Sequence, residues 1–234
     1  MRSRFNTAYA TLLNLYRRHG RSLLNIFPNT LYYAQTSGAK RQLGLELMQR
    51  KLELLTTMGY LAEGGLTAKG EFGAWVYGYE LLLTELHAQR GLAALDPVAL
   101  AVLMAGLVYE PRPTSPPPKS HRLSKRLSEL CREPLGRIHK EEARCHIYPK
   151  TKAPAFHLSY AMEAWMHQAP FERITKLCDV DEGEIVRYFR MAVQLLRQLA
   201  EMPAGDAALK AAAQHAFRRI NRDVIDAEAQ LRLG

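Results

Sequence analysis

Residues 59–70 read Gly59-Tyr60-Leu61-Ala62-Glu63-Gly64-Gly65-Leu66-Thr67-Ala68-Lys69-Gly70. Two short apolar runs, Tyr60-Leu61-Ala62 and Leu66-Thr67-Ala68, flank Glu63-Gly64-Gly65, and paired glycines supply the positive φ angles that a tight hairpin needs. Upstream the pattern is helical. Tyr9, Leu12, Leu13 and Tyr16 recur at spacings of three and four, which predicts a first helix over Asn6–Arg18. A second helical pattern covers Leu23–Gln35 and is interrupted at Pro28. Thr36-Ser37-Gly38 offers hydroxyl caps for a third helix from Ala39 to Met58, and Gly59 sits where a C′ glycine belongs.

Helices followed by a short hairpin define a winged-helix-like part, taken here as residues 1–78. Beyond Gly70 the strand signal disappears. Helical patterns run over Glu71–Arg90 and Asp96–Tyr109, the latter opened by an Asp-Pro pair suited to the N-cap and N1 positions. Residues 79–234 are therefore expected to form an all-α helical bundle, which makes the protein mainly α. Five prolines between Pro111 and Pro118 require an extended connector, 111–118. Further helices are expected over His157–Gln168, in a short turn pair at Phe171–Leu177 after Pro170, over Gly183–Ala200 and over Ala207–Leu231. Asp181 and Glu184 have the spacing of a capping box for the third of these.

The chain has 234 residues and 32 Lys and Arg against 23 Asp and Glu, a net charge of +9. That excess points to a polyanionic partner, most commonly nucleic acid. Between Lys119 and Lys152 there are ten Lys and Arg against four Glu. A solvated helix face would give the same count, and the sequence leaves both readings of segment 119–152 open. On the Gly183–Ala200 helix, Ile185, Val186, Phe189, Ala192, Val193, Leu196 and Leu199 form the apolar stripe. Arg187, Arg190, Gln194 and Arg197 lie opposite it within about 80° of arc, at 100° per residue. Guanidinium groups bind phosphate bidentately and stack on bases, so these four are the candidate nucleic-acid-binding residues; an ordinary solvated face has the same pattern.

Other functions find no support. There is no GxxxxGK[ST] loop, no Asp-Glu-x-His or Asp-Glu-Ala-Asp box, no GxGxxG after a strand, and no HExxH, GxSxG or paired CxxC. No catalytic residue or metal ligand is assigned, and whether the chain belongs to an enzyme is left open. Cys131, His139, Cys145 and His146 match no compact zinc spacing and are expected to form a polar, partly buried loop. Three scattered cysteines fit a reducing compartment, and the longest uncharged apolar stretch, Val98–Tyr109, is too short to span a bilayer. A cytoplasmic protein without a membrane partner is expected.

Three blocks, in order, resemble the C-terminal region of the superkiller-like DExH helicases of superfamily 2. The first is Phe5-Asn6-Thr7-Ala8-Tyr9 with Leu12-Leu13-Asn14-Leu15. The second comprises Gly59-Tyr60-Leu61, Leu66-Thr67-Ala68-Lys69-Gly70, Tyr79–Leu86, Leu95-Asp96-Pro97 and Leu107-Val108-Tyr109-Glu110. The third comprises Ala164-Trp165, Phe171-Glu172-Arg173-Ile174, Asp179–Arg187 and Ile220-Asn221-Arg222-Asp223-Val224. This last block is similar to the family's terminal bundle domain, called DSHCT.

The resemblance implies a winged helix and a bundle seated on a two-domain ATP motor, at the exit of its nucleic-acid channel. It places the arginine stripe on the ratchet helix, which in that family lies along the single strand. The implied partners are single-stranded nucleic acid, RNA favoured over DNA, and helicase motor domains in cis or in trans. No cofactor is expected in this chain, ATP and Mg belonging to the motor domains, and the chain is expected to be a piece of a longer helicase. Between Gln35 and Arg41 there is room only for a short loop where the eukaryotic exosome cofactors carry a long arch insertion. Two other readings of the residues are a winged-helix transcription regulator binding duplex DNA and an interaction scaffold without nucleic-acid affinity.

Overall fold

The structure is a computed structural model and describes residues 7–203 and 206–227. It is mainly helical, with one two-stranded sheet among the described residues. The chain forms two compact units. One contains the residues up to Glu85 together with Leu135–Thr151, and the other Leu86–Pro134 and the residues from Lys152 onward. Segment 135–151 thus groups with the N-terminal residues, which a single division at 78/79 does not express.

In the first unit, α1 (Tyr9–His19) buries Ala10, Leu12 and Leu13. A 3-10 stretch, Gly20–Asn29, accommodates Pro28 and buries Leu23 and Phe27. Thr30 then caps α2 (Leu31–Gln35) by accepting from the Tyr33 N–H at 3.2 Å. The expected hydroxyl cap of α3 (Ala39–Thr57) does not form: Gly38, at φ +49°, is the N-cap residue, and the Thr36 hydroxyl donates to the Tyr32 carbonyl instead. A side chain that can bond its own preceding turn competes with capping in this way. Gly59 ends the helix at φ +75°.

The hairpin is short. Strand β1 (Leu61–Ala62) pairs antiparallel with β2 (Gly65–Leu66), in register Leu61 to Leu66 and Ala62 to Gly65, with Gly65 at φ +133°. Thr67 caps α4 (Ala68–Trp75) by accepting from the Gly70 N–H, and a Cβ on Gly70 would lie 2.1 Å from the Tyr60 carbonyl oxygen. The single helix expected over Glu71–Arg90 is two, α4 and α5 (Glu80–Ala88), because Val76 is extended and Gly78 has φ +102°. Leu81, Leu82, Leu83 and Leu86 are all buried, and so are the polar Glu80, Thr84 and Glu85 of the same helix.

In the second unit, Asp96 caps α6 (Pro97–Val108), accepting from Val98 and Ala99 N–H groups at 2.9 Å. All of Ala99–Val108 is buried, so α6 is the core, surrounded by α8 (Ser159–Met166), α10 (Glu182–Glu201) and α11 (Ala207–Ile220). Residues 111–118 carry no helix or strand, as the prolines require.

Segment 119–152 is mostly the 23-residue helix α7 (Arg122–Arg144), and its basic side chains lie mainly on an exposed face. The polar loop expected around Cys131 is therefore corrected. Cys131 and His139 are helical, and the Cys131 and Cys145 thiols are buried because they lie on the apolar stripe of α7 and its end. Short α9 (Phe171–Ile174) follows Pro170. Asp206 caps α11 through Ala208 and Leu209 N–H groups. Helix α11 stops at Ile220 and does not run on unbroken toward Leu231: Asn221 leaves helical geometry, Asp223 takes φ +49°, and Asp223–Ile225 forms a 3-10 turn. The expected first-helix start at Asn6, block residues Phe5 and Asn6, and residues 228–231 of the expected last helix lie outside the described residues. Among the described residues no helix is long and apolar enough to cross a membrane.

Candidate nucleic-acid interface

Helix α10 buries Ile185, Phe189, Ala192, Val193, Leu196 and Leu199, as its apolar periodicity requires, and makes its most extensive packing with α11. Its other side lines a groove of about 470 Å³. Arg187, Arg190, Gln194 and Arg197 all contribute to it, so the four side chains singled out by spacing meet in one concave surface. Val186, Met191 and Val193 add apolar area from the same helix. The facing wall is Asn221, Ile225, Asp226 and Ala227, from the turn that follows α11. That wall was hidden by the expectation of an unbroken helix, although Asn221-Arg222-Asp223 is a polar run that interrupts the apolar periodicity.

The four polar residues are held differently. Arg187 is the most open of the arginines: its side chain is 55% exposed, its guanidinium carbon lies 4.2 Å from the Tyr188 ring centroid, and Glu184 is 3.7 Å away. Gln194 is exposed. Arg197 is half-buried, with its guanidinium carbon 5.2 Å from the Phe217 ring centroid. Arg190 donates to the main-chain carbonyls of Val224 (2.8 Å) and Ile225 (3.1 Å) and so joins α10 to the facing wall. A second arginine supports that wall from behind. Arg222 lies with its guanidinium carbon 3.4 Å from the Trp165 ring centroid and donates to the carbonyls of Trp165 and Ala169. The Trp165 indole N–H in turn donates to the Ile220 carbonyl at 2.9 Å.

At the start of α10 the capping box is replaced by an ionic clasp. Asp181 makes no side-chain cap bond; its carboxylate and that of Glu184 both accept from Arg112 Nη2 at 2.9 Å. A guanidinium donor outcompetes backbone amides for a carboxylate because the bond is charge-assisted on both sides. These two carboxylates hold Arg112 of the connector against the positive end of α10, and raise its basicity further. Among the described residues no group of three or more His, Cys, Asp or Glu side chains is placed to hold a metal ion.

The groove therefore gathers arginine and amide groups around apolar side chains of one bundle helix. Residues 63–228 match the model of the DSHCT (NUC185) domain, and the chain belongs to that family. It is 27% identical over 183 residues to Superkiller complex protein 2 of Mus musculus, covering 75% of this chain and 15% of that protein. It is 24% identical over 204 residues to ATP-dependent RNA helicase mtr4 of Schizosaccharomyces pombe, covering 81% and 18% respectively. Exosome RNA helicase MTR4 of Homo sapiens is 28% identical over 152 residues, covering 62% and 14%. The chain thus spans less than a fifth of the length of these relatives and corresponds to the C-terminal region of superkiller-like helicases.

Proposed function

We propose that this chain is a non-catalytic nucleic-acid-guiding module of an ATP-dependent DExH helicase, in which α10 serves as the ratchet-type helix along a single strand. The observation that carries the reading is the convergence of Arg187, Arg190, Gln194 and Arg197 on one groove. Arg187 and Arg197 supply phosphate and stacking contacts, Gln194 an amide, and Arg190 positions the facing wall while adding charge. The helices and hairpin of the first unit act as a winged helix that braces motor domains supplied in cis or in trans. ATP and Mg act in those motor domains. RNA is favoured over DNA because several relatives are named as RNA helicases. The three free cysteines fit a reducing, cytoplasmic setting.

Fluorescence anisotropy with single-stranded RNA, single-stranded DNA and duplex, at about 50 and 200 mM salt, tests the reading. Salt-sensitive preference for single strands is expected, and Arg187→Ala with Arg197→Ala is expected to lower the salt slope by about 0.7 for each phosphate no longer neutralised. Dimerisation with preference for a particular duplex would replace this reading with a transcription regulator; no affinity at low salt would replace it with a scaffold.

A further inference from the structure

The basic residues of segment 119–152 divide into two sets. From Arg132 to the end of α7 the arginines are paired: Arg132 with Glu129, Arg137 with Glu85 at 3.0 Å, and Arg144 with Glu53 at 2.6 Å and Glu141 at 2.7 Å. Lys140, on the same stretch, is exposed and among the described residues has no carboxylate within ion-pair distance. Lys119, Arg122, Lys125 and Arg126 are exposed, and among the described residues none has a carboxylate within ion-pair distance. No acidic residue stands between Lys119 and Ser128, nor in the first turn of α7. Arg122, Lys125 and Arg126 share one face, within about 100° of arc. They crowd the helix end whose own partial charge is positive, where cations are least favourable, so this surface holds uncompensated charge that a polyanion would neutralise.

An aromatic ring stands beside the charge. Tyr160 is 38% exposed, its hydroxyl donates to the Ser120 carbonyl at 2.7 Å, and its ring meets His121 edge to face at 4.4 Å. His121 is itself fixed: Nδ1 faces the Ser124 N–H at 3.4 Å and Nε2 lies 2.8 Å from Glu163, which calls for the proton on Nε2. The Tyr160 ring is therefore held, partly open to solvent, next to Lys119 and Arg122 in the chain path. Fixed aromatic rings interleaved with cations form a platform for unpaired bases and their phosphates.

We infer that Lys119, Arg122, Lys125, Arg126 and Tyr160 form a second single-strand RNA contact, sharing no residue with the α10 groove. The four cations take phosphates and Tyr160 stacks one base. The four cations are exposed and make no ion pair among the described residues, so their replacement is expected to leave the fold intact.

The test is anisotropy of the full chain with a labelled single-stranded polyuridine oligonucleotide, after thermal melts show each variant folded. K119Q/R122Q/K125Q/R126Q is expected to weaken binding at least tenfold and to lower the salt slope by about 2 to 3, at about 0.7 per phosphate on a single strand. Tyr160→Leu is expected to weaken binding about tenfold, and Tyr160→Phe to retain it, because stacking needs the ring alone. Unchanged affinity and slope in the quadruple variant overturn the inference. Loss in that variant with full binding by Tyr160→Leu, or tighter binding of a polyglutamate peptide than of the RNA, overturns the single strand as occupant. The Arg187→Ala, Arg197→Ala variant run in parallel separates the two surfaces, since either can lose its effect while the other keeps it.

Discussion

Arg190 Nη2 lies 2.8 Å from the carbonyl oxygen of Val224, tying the middle of α10 to the turn after α11. The wall of the groove is thus held by a residue that also faces into it. Arg190→Ala is expected to cost about 1–3 kcal/mol, because a half-buried charged donor and two carbonyls lose their bonds together. Arg187→Ala, at an exposed position, is expected to stay within about 0.5 kcal/mol. Urea midpoints of the two variants decide this, and equal shifts would show that Arg190 does not hold the wall.

Arg222 and Trp165 make the second support, and Trp165 is fully buried. Arg222→Ala removes the cation from the ring and the bonds to the Trp165 and Ala169 carbonyls, and is expected to cost about 2–3 kcal/mol. Trp165 emission should move to the red as water reaches the indole. The measurement belongs in a Trp75→Phe background, since the only other tryptophan is partly exposed.

The hairpin makes a sharper prediction. A Cβ at residue 70 would lie 2.1 Å from the Tyr60 carbonyl oxygen, a main-chain atom that cannot swing aside, whereas one at residue 64 meets nothing within 4 Å. Gly70→Ala is expected to destabilise by about 3 kcal/mol, and Gly64→Ala by no more than about 0.5 kcal/mol. Thermal melts followed by circular dichroism would contradict this if the two variants behaved alike.

Alkali should destabilise the protein through Cys131, whose thiol is pushed by burial from 9.0 up to about 12. The folded state keeps the proton that the unfolded chain releases above about pH 9. The contribution is therefore full below that pH and is lost as pH rises toward about 12. Tyr9 and Tyr60, both raised by burial, act in the same direction. Urea midpoints should fall between about pH 8 and 10.5, and less steeply in Cys131→Ala. Parallel slopes would mean that Cys131 does not titrate with unfolding.

Most elements were legible because their signals are local. Tyr9, Leu12 and Leu13 mark α1 by spacing, Asp96-Pro97 marks the start of α6 by capping chemistry, and Gly64-Gly65 mark the hairpin by backbone freedom. Boundaries failed where a distant group intervened. Asp181 and Glu184 have the spacing of a capping box, yet Arg112, 69 residues before Asp181, takes both carboxylates. The break at Val76–Tyr79 is masked in the sequence because the apolar residues Trp75, Val76, Tyr77 and Tyr79 carry the hydrophobic pattern across it, and only the backbone, at Val76 and Gly78, departs from helix. The candidate site was half legible: helical geometry puts Arg187, Arg190, Gln194 and Arg197 on one side of α10, but periodicity says nothing of what faces them.

Residue order and elementary geometry alone determined that the protein is mainly α, that a hairpin follows α3, that 111–118 cannot be helical, and that four polar side chains share one side of α10. Each depends on interactions within a few residues, which the chain carries wherever it goes. Tertiary structure decided which arginines are held and which stay open, that segment 135–151 joins the N-terminal residues, and that the turn after α11 walls the groove. Those outcomes rest on contacts between residues tens of positions apart, Arg190 with Val224 and Arg222 with Trp165 among them. Such contacts exist only once packing has brought their partners within bonding distance.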